Sequence, residues 1–124
     1  MKTLKIGLLA AVAVLLLGCA QARQRAVDSG LYPAIDLAWP GVRGDAARGG
    51  AVQAELDAFA GALQARQGTS LKVAWPGVRA SAEQGIEDRQ ADLEIGPGVA
   101  ASLTERLSNF DEAVRQLTPT MGAP

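Results

Sequence analysis

The sequence predicts an all-α fold: a small bundle of about four helices, made from two duplicated helix–turn–helix units. Three observations carry this. Apolar residues recur at intervals of three and four along four successive segments. Glycine and proline stand at the segment boundaries. Finally, Ala38-Trp39-Pro40-Gly41-Val42-Arg43 returns unchanged as Ala74-Trp75-Pro76-Gly77-Val78-Arg79, thirty-six residues later.

The first stripe is Tyr32, Ile35, Trp39, Val42 and Ala46, ended by Gly49-Gly50. The second, Val52, Leu56, Phe59 and Leu63, runs to Gly68, read as its C-terminal glycine. Leu71, Trp75, Val78, Ala82 and Ile86 form the third. Val99, Leu103, Leu107, Phe110, Val114 and Leu117 form the fourth, opened by Pro97-Gly98 and closed by Pro119. Ser70 to Trp75 has some strand character, but alanine and straight-chain residues prevail elsewhere and favour helix.

The repeat extends beyond its six identities, over 35–49 and 71–85: Ile35 pairs with Leu71, Leu37 with Val73, Ala46 with Ala82 and Gly49 with Gly85. The helices that follow align at an offset of fifty-one, with Leu56, Phe59, Ala62 and Leu63 on Leu107, Phe110, Ala113 and Val114. The larger offset places fifteen extra residues between Ile86 and Ala100, read as an extended connection in the second unit. Neither unit can bury its stripe alone, so the two are expected to share one core. Proline inside a helix removes a hydrogen bond and crowds the preceding turn. The stripe nevertheless continues upstream of Pro40 and Pro76, favouring helices kinked at these prolines over helices that begin there.

The start of the chain is of another kind. Lys2 and Lys5 precede an apolar run from Ile6 to Leu17, too short for a bilayer core, which takes about 20 helical residues. Leu16-Leu17-Gly18-Cys19 follows. This leader resembles those of bacterial lipoproteins cut by signal peptidase II, with small Gly18 before the cut and nucleophilic Cys19 after it. The resemblance implies a signal peptide at 1–18, lipidation of Cys19 and a membrane contact supplied by the lipid. Ala20, in place of the aspartate associated with inner-membrane retention, implies an outer-membrane anchor facing the periplasm. Residues 19–30 then read as a lipidated cysteine and short polar tether, residues 31–118 as the helical domain and residues 119–124 as a tail.

Composition narrows the chemistry. After the leader, 106 of the 124 residues remain, enough for one small domain. Lys72 is then the last lysine, and ten cations face thirteen acids. No basic run tracks phosphates, so nucleic acid is not an expected partner. Histidine is absent and Cys19 is the lone cysteine, removing the usual metal ligands and general base. No metal or cofactor is expected, and the positive mean hydropathy of +0.10 owes much to the leader.

Candidate sites are few. Trp39 and Trp75, each flanked by proline and followed by Arg43 or Arg79, suggest a binding groove between the repeats. Their place on the apolar stripes instead favours core anchors, and the arginines favour solvated or carboxylate-paired roles. Glu83, Glu87, Asp88, Asp92 and Glu94 read as a charged helix face without calcium-loop spacing. Ser70 with Lys72, and Glu87 with Asp92, are weak catalytic pairs, and Ile95 to Val99 lacks the lysine of a phosphate loop. The expected role is therefore a non-enzymatic interaction or accessory module of the envelope, with an envelope protein as partner. The alternatives are a small-ligand or glycan-binding protein using Trp39, Trp75, Arg43 and Arg79, and a peptidoglycan-acting enzyme or inhibitor.

Overall fold

In the computed structural model, the backbone is described for residues 2–119 and side chains for residues 22–119. Four helices account for it: α1 (Lys2–Arg48), α2 (Gln53–Gln64), α3 (Gly68–Ala91) and α4 (Pro97–Gln116), with no strand among the described residues. The side chains of the leader and of Cys19, and the end of the tail, lie outside the described residues. Among those described, no helix is long and apolar enough to cross a membrane.

The segment expected as a tether belongs to α1, which runs without interruption into the domain. Its side chains explain why the helix persists. Gln24 donates to Asp28, and Asp28 in turn accepts the Thr118 amide beyond the end of α4 at 3.2 Å. This fastens the last described turns before Tyr32 to the bundle.

All five residues of the first stripe and all five of the third are buried. Pro40 and Pro76 lie inside α1 and α3, as does Pro33 in α1, so the helices pass through their prolines instead of starting at them. All three prolines are exposed. The carbonyls they leave without an intrahelical donor, those of Asp36, Lys72 and Ser29, therefore fall on solvent-facing turns where water can serve them.

Three helices end alike. The amides of Ala51, Gln67 and Glu94 reach back five residues to the carbonyls of Ala46, Ala62 and Arg89, at 2.8–2.9 Å. The left-handed residue this requires is Gly50 after α1, but Arg66 (φ 55°) after α2 and Leu93 (φ 59°) after α3. Gly68 is thus not the C-terminal glycine of α2: it is buried and opens α3.

The fifteen extra residues do not form a long connection. The α3–α4 link has one residue more than the α1–α2 link. The repeat alignment places the remainder as seven residues added to the end of α3 and seven to the start of α4. Seven residues make almost two turns, so each extension keeps the face of the helix it lengthens. It also explains why Val99, expected in the core, is exposed: it lies in the added turns of α4, where Ala100 is the buried residue. Val52, similarly exposed, stands just before α2 as its N-cap.

Short links make α1–α2 and α3–α4 antiparallel hairpins. Gly41 lies under Arg106 and Asp28 meets Thr118, so α1 is also antiparallel to α4 and therefore runs the same way as α3. The cross-section is a rhombus. α1 and α3 meet across its short diagonal, while the backbones of α2 and α4 stay apart.

The short diagonal closes at Gly49 and Gly85, the glycines paired by the repeat. A Cβ on Gly49 would overlap the carbonyl oxygen of Ser81, and a Cβ on Gly85 would overlap that of Asp45. Ser81 and Asp45 are themselves repeat partners, so the contact is reciprocal about a pseudo-twofold axis. Below it, Trp39 stacks on Phe59 at 4.4 Å and Trp75 meets Phe110 at 4.8 Å. The cross-pairs Phe59–Trp75 and Trp39–Phe110 stand at 5.8 and 6.2 Å, and Phe59–Phe110 at 6.0 Å completes the cluster. The glycine after each Trp-Pro pair also has a job: Gly41 makes room for the Arg106 guanidinium, and Gly77 for the Glu55 carboxylate. Positions 55 and 106 correspond in the repeat, so this notch is symmetric in shape and opposite in charge.

Gly49→Ala or Gly85→Ala is expected to cost about 3 kcal/mol or to unfold the bundle, because the obstacle is backbone. Gly44→Ala, whose Cβ would meet nothing, is expected to be neutral or to stabilise by about 0.5–1 kcal/mol. Leu93→Gly should stabilise by roughly 1 kcal/mol through relief of the left-handed backbone. Urea denaturation of the four variants checks all of these expectations.

Candidate functional site

Each Trp-Pro-Gly-Val-Arg segment places its tryptophan inward and its arginine at the helix edge. Trp39 and Trp75 are 7% and 3% exposed, and both belong to the central core. They do not share an open groove. Arg43 pairs with Asp57 on α2 at 2.6 Å. Arg79 pairs with Glu83 one turn on, at 2.9 Å, and with Asp111 on α4, at 3.1 Å. The four expected binding residues are therefore divided between the two hairpins, and only Trp75 and Arg79 meet at a common cleft.

That cleft, about 560 Å³, opens between α3 and α4. Trp75, Pro76, Ala80 and Val114 supply its apolar lining, and Lys72, Arg79, Glu83, Asp111 and Arg115 its charged lining. Asp111 organises one wall. Nearly buried, it accepts the Trp75 indole N–H at 2.8 Å and pairs with Arg79 and with Arg115 at 3.2 Å. One hydrogen bond and two cations at one carboxylate offset the desolvation that burying it entails.

A second carboxylate is buried between α1, α3 and α4. Asp45 of α1 receives Arg89 of α3 at 3.2 Å and Arg106 of α4 at 2.7 Å. Arg89 lies in the added turns of α3, so the extension brings a counter-ion to a carboxylate of the first hairpin. Nearby, Arg48 bridges Asp92 and Glu94 in the α3–α4 link. Its hydrogen bonds to Glu94 and then Asp92 hold its pKa above the ordinary arginine value. Arg66 is raised likewise, chiefly by its hydrogen bonds to Asp36, and it sits 4.6 Å over the Tyr32 ring.

The acidic run expected as one helix face is thus divided: Glu83 on Arg79 and Asp88 under Gln84 lie on α3, whereas Asp92 and Glu94 lie in the α3–α4 link on Arg48. Among the described residues, no group of three or more acidic, histidine or cysteine side chains could hold a metal ion. Ser70 and Lys72 are two residues apart on α3, a spacing that turns them to different faces.

Asp45 and Asp111 escape the stripe pattern because each is an acid beside an apolar stripe residue, Ala46 or Phe110. The repeat carries the missing signal. Asp111 aligns with Ala60 and Asp45 with Ser81, small residues whose positions must be close to the interior.

Replacing Trp39 or Trp75 by alanine is expected to cost about 3–5 kcal/mol in urea denaturation. Asp111→Ala should cost about 1–3 kcal/mol, because it leaves the buried Trp75 N–H without its acceptor.

Compared with known protein families, curated proteins and solved structures, the chain matches none.

Proposed function

We propose that this protein is a lipid-anchored, non-enzymatic interaction or accessory module of the bacterial envelope, on the periplasmic face of the outer membrane. One observation carries the reading: the charged start, the twelve-residue apolar run and Leu16-Leu17-Gly18-Cys19 occur together and in order. Export, cleavage before Cys19 and acylation of its thiol follow from that leader. The anchor supplies the membrane contact, since two or three acyl chains hold a small protein stably.

Two features support the rest. The residue inventory is poor in nucleophiles and bases suited to catalysis, with no histidine and no second cysteine. The helix that carries Cys19 also carries Tyr32, Ile35 and Trp39, so the anchor and the core share one element. At about 1.5 Å per residue, a helix holds Tyr32 roughly 20 Å from the acylated residue, where an extended tether would reach further. A module held this close meets partners that are themselves at the membrane surface.

Cys19→Ser is expected to abolish labelling by a radioactive fatty acid and to move the protein from the membrane to the soluble envelope fraction. Membrane retention of the variant would overturn the anchoring. In the native strain, crosslinking of the anchored protein is expected to recover a defined envelope protein. Recovery of background alone would overturn the interaction role.

A further inference from the structure

We propose that the α3–α4 cleft is a binding site for a small organic anion with an apolar body, such as an aromatic carboxylate or sulfonate. The inference is independent of the lipid anchor. It rests on comparing the two hairpins, which differ at this place in a way that packing does not require.

The residues that build the scaffold are common to both. Trp75, Pro76 and Arg79 align with Trp39, Pro40 and Arg43, and Val114 with Leu63. The other charged residues at the cleft are not. Lys72 stands where the first hairpin has Asp36, Glu83 where it has Ala47, Asp111 where it has Ala60, and Arg115 where it has Gln64. The first hairpin buries Trp39 against Phe59 with an alanine at the position of Asp111. A buried carboxylate is therefore not a condition for folding this motif, and its desolvation cost calls for another reason.

Its geometry offers one. Asp111 pairs with Arg79 and with Arg115, drawing two guanidinium groups to the wall of the cleft. The acids are thereby engaged: Glu83 is held by Arg79, and Asp111 by Trp75, Arg79 and Arg115. The cations keep capacity in reserve. Lys72, half-buried at the cleft, has no ion-pair partner among the described residues, whereas its counterpart Asp36 is held by Arg66. Arg115 is exposed and pairs with Asp111 without a hydrogen bond, which leaves its N–H donors available. What remains to be satisfied is positive, and it borders Pro76, Ala80 and Val114.

A volume of about 560 Å³ lies within the few hundred to about 1,000 Å³ typical of small-molecule pockets. The complementary ligand is one whose apolar body lies on Pro76, Ala80, Val114 and Trp75, while its anionic group takes donors from Lys72 and Arg115.

The test uses the full-length chain in non-ionic detergent, titrated with naphthalene-2-sulfonate and with neutral 2-naphthamide. The two indole N–H resonances report the site, Trp39 serving as internal reference. Saturable binding of the sulfonate is expected to move the Trp75 resonance and leave that of Trp39 in place, with the amide binding at least about tenfold more weakly. Lys72→Asp and Arg115→Gln, which install the residues of the first hairpin, should each weaken the sulfonate about tenfold, Lys72→Asp without lowering the melting temperature. Equal binding of sulfonate and amide, equal shifts at both indoles, undiminished binding by both variants, or no saturation at millimolar concentrations would overturn the site.

Discussion

The bundle depends on backbone touching backbone at Gly49 and Gly85. The contact brings α1 and α3 together across the short diagonal, closer than any side chain would permit. Once that diagonal is short, the other must be long, and α2 and α4 are held apart by what fills the centre. Trp39, Phe59, Trp75 and Phe110 fill it, four of the five aromatic residues in the chain. Their ring contacts at 4.4–6.2 Å supply stacking energy in addition to buried area. Small residues on one diagonal and large ones at the centre are two halves of one solution.

Symmetry in the interior coexists with asymmetry in charge. The position over each Trp-Pro-Gly notch is the same, yet it holds Arg106 against Gly41 and Glu55 against Gly77. Asp45 finds Arg89 only because the second hairpin is longer, and its repeat partner Ser81 is not charged. Apolar packing thus sets a common frame, and the ion pairs distinguish one hairpin from the other. Exposed apolar residues follow the frame too: Leu37 and Val73, paired by the repeat, are 86% and 77% exposed.

The helices, their order and most of the core were legible in the residue spacing, because a period near 3.6 with interruptions at Gly49-Gly50 and Pro97 has one structural meaning. The passage of helices through Pro40 and Pro76 was legible from the stripe upstream of them. The fate of the fifteen-residue insertion was not, since helix extension and a long loop give the same alignment gap. The left-handed role of Arg66 was hidden as well, because local preference points to Gly68 and the tertiary fold overrides it. Of the candidate site, Trp75 and Arg79 were visible in the repeat, while Lys72, Asp111 and Arg115 became meaningful only when α4 was laid beside α3. A motif repeats what two sites share, so it is blind to what sets one apart.

Arg66 carries a consequence for assembly. Each hairpin presents to its sister the same surfaces that a hairpin of a second molecule would present, so an exchange of hairpins between chains would rebuild the same aromatic centre and the same glycine contact. Such swapping is governed by the hinge between the exchanging parts. Here the hinge is only residues 65–67, and it is pinned at its midpoint, with Arg66 in a left-handed turn, paired with Asp36 at 2.7 Å and seated over Tyr32. The turn folds α3 back toward its own α1 and keeps the local concentration of the sister hairpin far above that of any neighbour. A residue held against its backbone preference is therefore also the one that makes closure an affair of a single chain.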